Sequence, residues 1–300
     1  MKWITLVSAI LIWLSCAQAY AYGDQLQQHL HALSSPAFDG RKTGSEGHDK
    51  ARQYLHKQLE QHYVVTTQIF SFKQGFNQYQ GQNLYAEKRG FRYPEQYIVI
   101  SAHYDHLGST GRKVFYGADD NASGVATLLE LARYFRHYNN QYSLLFLMTD
   151  GEEMGLHGAR AFMSDKHIAN LDIVLNINLD MLGYGANEKS LILAGTRHFP
   201  NLLPLVTHSN TLVSVPFLVK ETIRDESLSS TRQRIDLLKA SDHYVFYQNH
   251  IDFLLITGEN HHRYHTEKDT AEAIDPTFFR NAYQSVKRLV QIIDMFLIVI

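Results

Sequence analysis

His103 and Asp105 in HYDHLG, Asp119 and Asp120 in GADDNASG, Glu152 and Glu153 in DGEEMG, Asp180 in NLDM and His265 in YHTEKDT form an inventory of imidazoles and carboxylates. A donor set of this kind, without thiolate, suits zinc or a similar divalent transition ion. So many carboxylates against two histidines exceed what one tetrahedral ion requires. Two ions about 3.5–4 Å apart, sharing a carboxylate, would accommodate them all. The adjacent Glu152 and Glu153 make the same point, because neighbouring like charges repel unless positive charge or a shared proton lies close by. Any one of these residues alone reads more simply as a helix cap, a turn acid or a surface histidine. Together, at successive strand ends, they do not.

The elements that would position them follow from hydrophobic pattern. Residues 47–62 read as an amphipathic helix with Ala51, Tyr54, Leu55 and Leu59 on one face. Strand-like runs follow at Val64–Phe72 and Asn83–Glu87. Tyr97–Ser101 is short, apolar and β-branched, the mark of a strand buried on both faces. Val125–Arg136 predicts a helix, Leu144–Met148 and Ile173–Leu179 two more buried strands, Leu191–Ala194 and Phe253–Ile256 another two, and Thr277–Phe296 a closing amphipathic helix. Strands alternating with helices predict an α/β fold with a largely parallel sheet covered on both sides. The polar clusters interrupt the pattern just after the buried strands, and in open α/β sheets ligands bind outside the carboxyl ends of the strands.

Bulk properties narrow the possibilities. Three hundred residues, 45% of them apolar, suffice for a substantial core. A formal net charge of -2 offers no basic field for nucleic acid. The 17 histidines favour metal or acid–base chemistry, although His29, His31, His62 and His137 read as surface groups. Lys2, the apolar run Trp3–Leu14 and Ala17-Gln18-Ala19 read as an export signal over residues 1–19, which predicts a periplasmic or secreted location. The apolar run is too short for a membrane span, which needs about 20 residues, so no membrane association is expected after cleavage. Cys16, the single cysteine, lies within that signal, and Trp13-Leu14-Ser15 before it match a lipid-acceptor signal poorly. The remaining 20–300 then read as a single domain. There is no H-E-x-x-H helix, no G-x-S-x-G turn and no P-loop.

The ordered string HYDHLG, GADDNASG, DGEEMGLHG, NLDM, SDH and YHTEKDT resembles the co-catalytic dizinc aminopeptidases. These are of the bacterial leucyl aminopeptidase type, related to glutamate carboxypeptidase II and the glutaminyl cyclases. The resemblance runs from DGRKTGSEG at Asp39–Gly47 to the C-terminal helix. It implies a three-layer α/β/α zinc-peptidase (phosphorylase/hydrolase-like) fold with a mixed, largely parallel central sheet, and two zinc ions per chain. It implies His103, Asp120, Glu153, Asp180 and His265 as metal ligands, with Asp120 bridging and followed by a non-proline cis peptide. Asp105 would orient His103, as partners of metal-bound histidines do, and Asp119 would serve the turn. Glu152 would be the general base, and Tyr264 would stabilise the oxyanion. A tyrosine here, where the cyclases carry tryptophan, tilts the resemblance towards hydrolysis.

Ser241-Asp242-His243 resembles a further motif of these enzymes. Asp242 would accept a hydrogen bond behind the ligands and His243 would line the substrate pocket; alternatively, Ser241 or Asp242 merely caps a helix through Tyr244–Gln248. His106, His157, His261 and His262 match no ligand position and read as rim or surface residues. The segment Lys220–Lys239 is expected to reach over the site and limit substrate size. The implied activity is removal of N-terminal residues from peptides. A carboxypeptidase or dipeptidase, a glutaminyl cyclase-like acyltransferase and a non-catalytic binding ectodomain are the alternatives.

Overall fold

The computed structural model describes residues 25–185, 189–224 and 234–297. The expected export signal, with Cys16, lies outside the described residues, as does the middle of the Lys220–Lys239 segment. In chain order the first elements are helix α1 (25–33), α2 (Glu46–Glu60), β1 (Val65–Gln74), β2 (Asn77–Lys88), β3 (Tyr93–His103), a small hairpin of β4 (Gly108–Thr110) and β5 (Lys113–Phe115), and α3 (Gly124–Phe135). Then come β6 (Tyr142–Thr149), α4 (His157–Ser164), β7 (Asp172–Asp180), β8 (Leu191–Ala194), α5 (Leu203–Asn210) and β9 (Phe217–Val219). The chain ends with β10 (Thr222–Arg224), β11 (Arg234–Asp236), α6 (His243–Gln248), β12 (Phe253–Thr257) and α7 (Pro276–Phe296).

Eight strands form one mixed sheet in the order β1-β2-β6-β3-β7-β12-β8-β9. The central four, β6, β3, β7 and β12, are mutually parallel, while β2 and β8 flank them antiparallel. Strand periodicity divides the core into two layers. Ile98, Ile100, Phe146, Met148, Ile177 and Ile256 face one way, in the same apolar cluster as residues of α1, α2, α3 and α7. Val99, Leu145 and Leu147 face the other way, clustered with Phe162 of α4 and Phe246 of α6. Burying each such side chain stabilises the fold by about 1.5–3 kcal/mol. This is the three-layer α/β/α architecture. Helix starts are set by capping: Ser45 accepts the N–H of His48 at the start of α2, and Asp275 accepts those of Thr277 and Phe278 at the start of α7, with Pro276 in its first turn.

Register decides where the polar clusters emerge. His103 pairs with Thr149, so the ends of β3 and β6 lie level; Asp180 pairs with Thr257, so those of β7 and β12 do too. Four loops therefore open at one edge of the sheet. The pattern-based reading missed α1, α4, α5 and the β10–β11 hairpin, all short or weakly periodic. It also began several strands late, because polar residues such as Gln78 and Gln96 continue the ladder beyond the buried core.

Candidate metal centre

The inventory comes from strand ends and from the loops that follow them. His103 closes β3, Asp180 closes β7, and Glu152 and Glu153 lie in the turn leaving β6. Asp120 sits in the irregular helical turn Ala118–Ser123 that leads into α3, and its peptide bond to Asn121 is cis. His265 enters from the loop after β12 in a left-handed conformation, with φ 56°.

These side chains form two poles that share Asp120. At the first, His103 Nε2 lies 3.4 Å from Asp120 Oδ1 and 3.5 Å from Asp180 Oδ1. At the second, His265 Nε2 lies 3.1 Å from Asp120 Oδ2 and 3.3 Å from Glu153 Oε2. The two oxygens of one carboxylate thus face different histidines. Against the cost of burial, His103 and His265 hold the Asp120 carboxyl well below its ordinary range. Burial opposes charge on His265 as well, yet Asp120 and Glu153 raise it to about 10. Such a site draws in positive charge. Among the described residues, Asp180 Oδ1 and His265 Nε2 are buried and make no hydrogen bond, as atoms reserved for a cation would be. The donor chemistry, two imidazoles and three carboxylates in two groups with a common member, fits a pair of divalent ions.

Glu152 lines the cavity beside both poles. Burial pushes its carboxyl well above the usual range; His103 opposes the shift, while Glu153, Asp242 and Asp180 add to it. Tyr264 also lines the cavity, its ring stacked on His265 at 3.8 Å, and burial followed by repulsion from Asp120 and Glu153 raises its hydroxyl pKa. The cavity holds about 110 Å³. Its other wall is apolar: Ile223 and Ile235, paired across the β10–β11 hairpin, with Leu237 and Leu255. Among the described residues, none lining it is lysine or arginine.

A surrounding layer of polar contacts fixes this arrangement. Asp105 lies behind His103, but the ring Nδ1 donates to the Asp105 main-chain oxygen at 3.2 Å and is 3.7 Å from its carboxylate. The carboxylate itself accepts the main-chain N–H groups of Glu152 and Glu153. Asp269, which the sequence reading gave no role, accepts those of Asp119 and Asp120. Asp119 in turn accepts the Gly183 N–H at 2.6 Å and lies 3.0 Å from His261 Nε2. Arg41, fully buried, donates to the main-chain oxygens of Leu33, Tyr104, Tyr116 and Gly117, tying the loops after β3 and before Asp120 together. Burial lowers its pKa to about 10, opposed by Asp120 and Asp269, so it stays cationic at neutral pH beside the carboxylates.

Residues 83–290 match the model of peptidase family M28. The chain belongs to that family. Among curated proteins it is similar to a probable zinc metalloprotease of Pyrenophora tritici-repentis, 35% identical over 135 residues, covering 43% of this chain and 31% of that protein. It is also similar to a vacuolar membrane protease of Schizosaccharomyces japonicus, 35% identical over 120 residues, covering 40% of this chain and 13% of that protein. The M28 chain therefore spans a third or less of the length of these relatives. Among solved structures it shares its fold with a glutaminyl cyclase of Porphyromonas gingivalis, at a TM-score of 0.73 and 19% identity over 90% of this chain and 97% of that one. The zinc aminopeptidase of Bacillus subtilis superposes with a TM-score of 0.71 at 14% identity, over 89% and 94% of the two chains.

The comparisons and the geometry correct several expectations for this M28 chain. The periplasmic or secreted location is overturned: curated relatives are named vacuolar membrane proteases, a name that points to a vacuolar membrane for those proteins. Among the described residues no helix is long and apolar enough to cross a membrane. His243 does not line the cavity. It is wholly buried, donates Nε2–H to Leu237 O at 2.8 Å and packs on Phe253, so it braces the apolar wall from behind. Asp242 accepts the Thr149 hydroxyl and makes no side-chain cap on α6. His106 is not a rim residue but is buried against Glu153. His261 packs on Asp119, and His157 stacks on Phe72 at 4.0 Å; His262 is exposed. The signals for the missed residues were present, Arg41 in DGRKTGSEG and Asp269 in YHTEKDT, but their partners are main-chain atoms, which no side-chain motif reveals.

Proposed function

We propose that this M28 chain is an aminopeptidase that removes the N-terminal residue of peptides, with two zinc ions held by His103, Asp120, Asp180, Glu153 and His265. One observation carries this reading: the Asp120 oxygens are divided between the His103/Asp180 and His265/Glu153 poles. Bound there, zinc would supply Lewis acidity and a water whose pKa falls from about 15.7 towards about 7. Glu152, at the cavity surface, would accept a proton from a water attacking the scissile carbonyl and return it to the leaving amine. A carboxyl raised by its surroundings is suited to both halves of that transfer. Tyr264, kept protonated by its raised pKa, donates to the developing oxyanion. The wall of Ile223, Ile235, Leu237 and Leu255 takes an apolar first side chain, whose free α-amine would then lie beside the proposed metal ligands.

The absence of a cavity-lining cation among the described residues favours an amine over a carboxylate as the recognised end. The test is metal content together with a substrate panel. Two zincs per chain with hydrolysis of leucyl chromogenic substrates supports the proposal. Release of C-terminal residues, or cyclisation of N-terminal glutamine in place of hydrolysis, overturns it.

A further inference from the structure

His106 lies within the metal centre without belonging to the ligand set proposed above. It is 1% exposed. Its Nδ1 is 2.7 Å from Glu153 Oε1 and 3.7 Å from Asp120 Oδ2, and its ring meets that of His265 edge-on at 5.8 Å. Two imidazoles therefore flank the same pair of carboxylates, and they contact different Glu153 oxygens: His106 takes Oε1, while His265 faces Oε2. An ionised carboxylate only accepts, so the proton in the His106–Glu153 contact resides on Nδ1. His106 Nε2 is buried and has no hydrogen-bond partner among the described residues.

The seat for this ring is built in. Gly117 approaches so closely that a Cβ there would lie 2.5 Å from His106 Cδ2 and 2.2 Å from Asp120 O, and its φ of 56° favours glycine. The His106 main-chain N–H donates to Arg41 O at 3.2 Å, fixing the backbone as well. A ring held this firmly, with its Nδ1 on Glu153, is placed to orient that carboxylate.

We propose that His106 is the positioning residue of Glu153: by binding Oε1 it directs Oε2 to the pole shared with Asp120 Oδ2 and His265. The inference rests on the two-metal reading above. It predicts that loss of the Nδ1 donor weakens one of two zinc sites and spares the other. His106→Asn keeps a donor near the Nδ1 position, whereas His106→Leu keeps bulk without a donor.

Stepwise zinc affinity, measured by competition with a chromophoric chelator on the full chain, reads the effect directly. His106→Leu should lose about 10–100-fold at one site, leave the other unchanged, and be rescued to near wild-type affinity by His106→Asn. Wild-type affinity at both sites in His106→Leu overturns the proposal, as does equal weakening at both. An Asn variant as impaired as Leu points to packing and overturns it too. Should His106→Leu fail to fold, retention of both affinities by His106→Asn supports the proposal and loss of one overturns it. Wild-type protein that binds only one zinc would instead overturn the two-metal reading.

Discussion

Asp105 accepts the main-chain N–H of Glu152 through Oδ1 at 3.1 Å. Its Oδ2 accepts that of Glu153 at 3.3 Å, so one carboxylate sets how both glutamates leave β6. The residue assigned by resemblance to orient His103 therefore also carries the turn that presents the proposed base and a proposed ligand. Asp105→Asn turns an NH₂ group towards one of those N–H groups. Zinc affinity or kcat/KM should fall about 10–100-fold. Chelator competition and leucyl-substrate kinetics on the same preparation would detect either loss, and wild-type values for both would exclude this dual role.

Glu152 and Glu153 should separate cleanly. Glu152→Gln keeps the shape of the turn but removes the proton acceptor, so kcat should fall by about 10²–10⁴-fold with zinc content unchanged. Glu153→Gln should lose metal first. If Glu152→Gln lost its zinc, or kept most of its turnover, the division of roles between the two residues would be wrong.

Much of this was legible in the sequence because side-chain chemistry and strand pattern point the same way. YIVIS and LLFLMT are short, apolar and bounded by polar clusters, as strands buried on both faces are, and their parallel pairing brings the residues that follow them to one sheet edge. The supporting layer was less legible. Asp269 and Arg41 bind main-chain atoms, and His106 differs from an ordinary loop histidine only by its position in three dimensions. His243 was misread because a histidine beside a site motif looks the same whether it faces the cavity or props the wall behind it.

Asp269 holds the Asp119 and Asp120 N–H groups from about 150 residues away in sequence. In Asp269→Ala both donors lose their acceptor, at about 1–3 kcal/mol each, partly offset in metal-free protein by relief of repulsion with Asp119 and Asp120. That relief is smaller when cations neutralise the cluster. The hydrogen-bond loss is common to both states, so the stabilisation gained on adding zinc should shrink only by the relief that the cations remove, while Asp269→Ala is about 2 kcal/mol or more less stable than wild type in the zinc-loaded state, in denaturant unfolding with and without chelator. Wild-type stability of Asp269→Ala in the zinc-loaded state would show that Asp269 does not support Asp120, the proposed bridging ligand.

The hairpin residues Ile223 and Ile235 should govern the preferred N-terminal side chain. Ile235→Ser replaces apolar wall with a hydroxyl, and a pocket contact of this kind is worth about 1–3 kcal/mol. The ratio of kcat/KM for leucyl over alanyl substrates should drop about tenfold or more, with zinc content unaltered. A ratio that stays constant would remove the hairpin from substrate selection.

His243 gives the fold a defined acid sensitivity. Burial lowers its pKa from 6.5 to about 4, opposed by its hydrogen bond to Leu237 O. The folded protein therefore binds fewer protons than the unfolded chain between these values, and stability rises with pH across that window. The contribution is complete above about pH 6.5 and is lost progressively as pH falls towards 4. At about 1.4 kcal/mol per unit, the full loss is roughly 3 kcal/mol. His243→Gln keeps a donor for Leu237 O but cannot become charged. Its unfolding free energy should fall less than that of wild type between pH 6.5 and 4, by an amount approaching that figure, because the other titrating groups are common to both proteins. Parallel pH profiles would mean that His243 is not the group whose protonation loosens the apolar wall.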